Sequence, residues 1–114
     1  MLLLSSDYVV VFCTAPPDSS GRLARTIVGE RLAACINITQ VRSTFLWKGE
    51  VKVEAEDLLV IKTVRSKVEA LAARIREVHP YELPEIIVLP ISGGDEGYLN
   101  WLSESVRDGS RPDD

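Results

Sequence analysis

The sequence predicts an α+β sandwich, a four-stranded antiparallel sheet with two helices on one face and an extra C-terminal helix. Three observations lead there. Apolar, β-branched runs of strand length alternate with segments whose apolar residues recur at helical spacing. Pro, Gly, Asp and Ser, the residues of turns and helix caps, punctuate the boundaries. The order is strand, helix, strand, strand, helix, strand, helix, and its first six elements make the split βαβ, or ferredoxin-like, βαββαβ arrangement.

The first strand is Tyr8 to Ala15, a continuous β-branched and aromatic run. Pro16-Pro17-Asp18 closes it, and Asp18, Ser19 or Ser20 caps the following helix. That helix is expected from Gly21 to Ala33, with Leu23, Ile27 and Val28 on its apolar stripe. Ala34 to Trp47 is the second strand. Ile36 and Ile38 share one parity and Val41, Phe45 and Trp47 the other, so a bulge is expected near Thr39-Gln40. Lys48-Gly49 is a tight turn, Val51 and Val53 resume the alternation, and Leu58 to Ile61 reads as strand buried on both faces. Ser66 and Glu69 have capping-box spacing and open a helix through Val68, Leu71, Ala72, Ile75 and Val78. Pro80 stops that helix at His79. Ile86 to Leu89 is the fourth strand, ended by Pro90 and a turn at Gly93-Gly94. Asp95 or Glu96 starts the last helix, through Tyr98, Leu99, Leu102 and Val106.

A chain of 114 residues, 46% hydrophobic and 26% charged, makes one domain over 1–114 with a core that needs no disulfide staples. Residues 1–7 and 107–114 lie outside the expected elements and are read as flexible. Thirteen basic against 17 acidic residues, net −4, argue against a nucleic-acid partner, which needs a clustered positive footprint. No run approaches the ~20 apolar residues of a membrane span, and Met1 to Ser6 lacks the basic leader of a signal peptide. Cys13 and Cys35, set in apolar runs, are read as reduced and unpaired. The localisation expected is cytoplasmic.

The second strand has a consequence for assembly. Fourteen residues from Ala34 to Trp47 span about 46 Å at a strand's rise. A domain of this size has a radius of gyration of about 13 Å. The hairpin through Lys48-Gly49 must therefore project as a long β-hairpin arm, leaving Phe45, Leu46, Trp47, Val51 and Val53 wet. A second copy of the chain is the economical cover, and Phe45, Trp47 and Val51 are read as an oligomerisation arm.

With these elements in place the chain resembles the CutA family, the divalent-cation-tolerance proteins, from Val9 to Leu102. The resemblance rests on VVVFCTAP (Val9 to Pro16), ERLAACINI (Glu30 to Ile38), FLWKGE (Phe45 to Glu50), LLVIKT (Leu58 to Thr63), HPYELPEII (His79 to Ile87) and DEGYLNWL (Asp95 to Leu102). It implies a homotrimer of ferredoxin-like subunits linked to tolerance of copper and other divalent cations, similar in architecture to the nitrogen-regulatory signalling trimers. Three positions depart from the family pattern. The Pro-Gly pair after the Asn-Ile of the second strand is missing, Phe45 stands for the frequent Tyr, and Val78 replaces the first His of a pair some members carry.

Copper-binding members place ligands at the positions matching Cys13 and His79, so these two are the candidate metal site. On residue chemistry alone Cys13 is either a small buried hydrophobe or a thiolate for a soft ion. His79, the single histidine, is either a helix-end residue or a neutral imidazole ligand with Glu82 or Glu85 behind it. Two donors fall short of the four of a closed site, so metal binding within one subunit is not expected to be tight. Lys62 shares a strand face with Glu56 about 20 Å away. It must find another carboxylate or reach the surface, or else bind a small anion in a ligand cleft with Tyr81, Trp47 and Glu82. No nucleophile elbow or phosphate loop occurs. The reading is a non-enzymatic homotrimer binding divalent metal, copper foremost, with no obligatory cofactor. The alternative is a trimeric signalling or scaffold module that binds a small anionic ligand or a protein partner in its inter-subunit clefts.

Overall fold

In the computed structural model, which describes residues 1–107, the elements follow the expected order. Strand β1 is Leu2–Ala15, helix α1 Ser20–Gly29, β2 Cys35–Trp47 and β3 Glu50–Val64. A 3₁₀ turn over Arg65–Lys67 leads into α2, Val68–Val78, followed by β4, Ile87–Asp95, and α3, Glu96–Ser105. The sheet is antiparallel in the order β2-β3-β1-β4, the ferredoxin-like arrangement. Val9, Val11, Cys13 and Ala15 of β1 and Leu59 and Ile61 of β3 form the core with Leu23 and Ile27 of α1 and Leu71 and Ile75 of α2. On the opposite face α3 covers one end, where Leu99 and Leu102 pack on Tyr8. Among the described residues no helix is long and apolar enough to cross a membrane.

The arm is present. The molecule measures 46 × 27 × 22 Å with a radius of gyration of 15.1 Å, above the about 13 Å of a compact domain of this size. Lys48 and Gly49 both take positive φ, 51° and 82°, the backbone of a type I′ turn between the facing residues Trp47 and Glu50. Lys48 bears this without being glycine, and its ammonium lies 5.7 Å from the Trp47 ring centre.

Five expectations are corrected. The bulge near Thr39-Gln40 is absent: β2 and β3 stay in one register from Cys35↔Lys62 to Trp47↔Glu50. The face that carries apolar residues changes instead. Ile36 faces the helix layer with Ile61, whereas Val41 and Phe45 lie on the opposite face, beyond the reach of the helices. Helix α1 stops at Gly29, not Ala33, because Arg31 takes φ 61°. The amides of Arg31 and Leu32 bond back to Val28 and Ile27, a Schellman ending built on arginine instead of glycine. The Arg31 guanidinium donates to the Ser105 carbonyl at the end of α3, which offsets part of the strain. The Ser66–Glu69 capping box does not form, since residues 65–67 wind into the 3₁₀ turn and Lys67 takes the cap position.

The fourth strand is the fourth correction, for it passes through Pro90 and Gly93-Gly94 to Asp95. Being an edge strand it tolerates a proline. A Cβ on Gly93 would lie 2.8 Å from the Leu3 carbonyl oxygen, so close strand approach, not a turn, requires that glycine. The Gly93 contact also bears on residues 1–7, where Leu2, Leu3 and Leu4 pair with Asp95, Gly94 and Gly93 before a bulge that ends at Tyr8. Of residues 107–114, all but Arg107 lie outside the described residues. Asp95 caps α3 as expected, its carboxylate accepting from the Tyr98 amide at 3.1 Å.

Candidate functional site

Where β1 ends and the arm leaves the core, the segment after α2 turns under the sheet. Pro80 forces His79 out of the helix, to φ −76° and ψ 139°, and this aims the ring at the last turn of β1. His79 Nε2 lies 2.7 Å from the Thr14 carbonyl oxygen, and the Tyr81 amide donates to His79 Nδ1 at 3.0 Å. A carbonyl oxygen only accepts and an amide only donates, so the proton sits on Nε2 and the lone pair on Nδ1 is used. The rings of His79 and Tyr81 meet at 4.8 Å. The Tyr81 hydroxyl then donates to Glu56 Oε2 at 2.8 Å. Partial burial, followed by that bond to Glu56 and its charge, pushes the phenol well above its ordinary range.

Tyr81 forms one wall of a cleft of about 700 Å³. Phe45 and Trp47 of the arm form another, with Pro80 and Leu83 completing the apolar lining. The polar lining is mostly acidic: Glu54, Glu56, Glu82 and Glu85, against the single ammonium of Lys52, which pairs with Glu50 at 3.2 Å. Next door, across the strand, Ser20 Oγ donates to Asp57 Oδ2 at 2.6 Å in a buried contact that ties the start of α1 to β3.

The structure brings some sequence candidates together and separates others. Trp47, Tyr81 and Glu82 all line this cleft. Lys62 does not: it faces the far end of the sheet, with its ammonium 5.8 Å from the Tyr98 ring centre on α3. An acidic cleft without Lys62 is ill-suited to a small anion. The arm residues also part company. Phe45 and Trp47 belong to the cleft face, while Val51 faces the other way beside Leu46, 69% and 73% exposed respectively. Glu56 and Thr14 were missed as partners. Parity placed Glu56 on the correct face, but its phenolic partner is remote in sequence, and Thr14 contributes only a backbone oxygen, which no residue type signals.

The candidate metal donors do not fit a metal ion within one chain. Cys13 is fully buried on the helix side of the sheet, packed in the apolar core. Burial, then the charges of Glu85 and Glu56, pushes its thiol from an ordinary 9.0 up to about 12, away from the thiolate a metal needs. Both His79 nitrogens are engaged. Among the described residues no group of three or more His, Cys, Asp or Glu could hold an ion.

Both cysteines are free. Because folding raises the Cys13 value, its stabilising contribution is complete below pH 9.0 and is lost as pH climbs toward about 12. A thiol reagent at pH 8 should modify the half-buried Cys35 first and reach Cys13 only on unfolding. Rapid modification of Cys13 in folded protein, located by peptide mapping, contradicts its burial.

Comparison with known proteins extends the resemblance. A family model described as CutA1 divalent ion tolerance protein matches residues 9–105. The chain is 45% identical over 102 residues to a rice protein named Protein CutA 1, chloroplastic, matching 88% of this chain but 58% of that protein. It is 43% identical over 103 residues to the Divalent-cation tolerance protein CutA of Pectobacterium atrosepticum, matching 89% of this chain and 94% of that one. The solved CutA from Synechococcus elongatus superposes with a TM-score of 0.91 at 30% identity, over 94% of this chain and 96% of that one.

Proposed function

From the premise that this chain belongs to the CutA1 divalent ion tolerance family, we propose that it serves divalent-cation tolerance as a non-enzymatic cytoplasmic homotrimer. The arm is the observation that carries this reading. It extends beyond the core as a two-stranded ribbon, with β2 at the sheet edge and Leu46, Val51 and Val53 at 73%, 69% and 59% exposure. Such a ribbon is marginal alone and offers both an unpaired edge and an apolar face to other copies. The free thiols of Cys13 and Cys35 suit a reducing compartment.

Divalent metal, copper foremost, is bound in this reading at sites shared between copies, because among the described residues of one chain no three donors converge. The ion would supply Lewis acidity and charge; the carboxylates of Glu54, Glu82 and Glu85 are the exposed anionic groups that line the cleft beside the arm. Equilibrium dialysis against Cu(II) tests this. Assembled protein should retain copper, and protein dissociated by arm substitutions should lose it. Equal retention by single chains overturns the shared site.

A further inference from the structure

We infer that His79 is a positioning residue that seats residues 80–85 as the wall of the acidic cleft, and that it is not a metal donor. The inference rests on the accounting of one ring and stands whether or not the chain assembles. An imidazole has two nitrogens, and a neutral one offers a single lone pair to a metal. Here that lone pair, on Nδ1, accepts the Tyr81 amide at 3.0 Å, and the Nε2 proton is given to Thr14 at 2.7 Å. The ring is 7% exposed, so water cannot readily replace either partner.

The two bonds do connected work. One fixes the ring to the end of β1, and the other fixes the backbone just past Pro80. Tyr81 is thereby set so that its hydroxyl meets Glu56, buried at 6% exposure on β3. The chain Thr14–His79–Tyr81–Glu56 thus links β1, the segment after α2 and the root of the arm. A metal ion on Nδ1 must displace the Tyr81 amide, and one on Nε2 must displace both the proton and Thr14. Either event leaves a polar group unpaired in a closed place and detaches the cleft wall.

With one histidine in the chain, its ring is the sole imidazole signal in a nitrogen NMR spectrum. The unaltered protein should show the Nε2–H tautomer with a slowly exchanging ring proton, unchanged when Zn(II) is added as a diamagnetic probe. His79→Ala should speed hydrogen exchange at the Tyr81 amide by about tenfold or more while core amides such as Val11 stay protected. His79→Gln, whose amide can both donate and accept, should restore part of that protection. Stoichiometric zinc shifts of the ring, or an unchanged Tyr81 amide in His79→Ala, overturn the inference. If His79→Ala fails to fold, the ring spectrum of the unaltered protein decides alone.

Discussion

Leu46→Asp combined with Val51→Asp is expected to convert three-chain particles into single chains at micromolar concentration. The two side chains face each other across the arm on the side away from the cleft and are the most exposed apolar pair there. Covering a leucine or valine in a subunit contact stabilises by roughly 1.5–3 kcal/mol each. Replacing both with carboxylates removes that and places like charges opposite one another in a desolvating contact. The arm lies outside the cluster of Val9, Ile61 and Ile75, so circular dichroism should show the fold retained. Light scattering reads the change directly, and a variant that keeps the parent mass contradicts the role given to the arm.

Ile61→Ala is expected to cost roughly 2–5 kcal/mol, a large part of the ~5–15 kcal/mol that holds a domain folded. Ile61 is fully buried on β3, flanked by Ile36 and Val11 on the neighbouring strands and roofed by both helices. Truncation leaves a cavity between two layers that regular strands and helices prevent from collapsing. The melting temperature should fall on the order of 10–20 °C. Ile38→Ala, at 41% exposure on the same sheet, should change it far less. Calorimetry at one fixed protein concentration compares them, because the midpoint of any protein that assembles depends on concentration. Equal shifts for the two variants contradict the placement of the core.

The fold was largely legible because its signals are local. The β-branched run of β1, the period of Val68, Leu71, Ala72 and Ile75, and Pro80 after His79 each act within a few residues. What was not legible depended on neighbours in space. The parity switch in β2 looked like a bulge because no local feature says where the helix layer ends; the alternation continues and the solvent changes sides. Arg31 in left-handed conformation is hidden because arginine carries no preference for it, and its compensation comes from Ser105 of α3. Pro90 misled for want of the sheet order: at an edge it need not end a strand.

The site divides along the same line. Tyr81, Trp47 and Glu82 share one cleft because the arm and the segment after Pro80 both lie at one end of the sheet. Lys62 shares the face of Glu56, but the six residues between them carry it out of the cleft to Tyr98 at the other end of the sheet. Cys13 and His79 came from family likeness, and their surroundings here direct one into the core and the other into a hydrogen-bond relay.

The mass of the unaltered protein in solution, measured by light scattering across a dilution series into the low micromolar range, tests the central claim most directly. Three times the 12.6 kDa chain mass, stable on dilution, is the result expected of copies joined through their arms. A particle of single-chain mass at every concentration contradicts it.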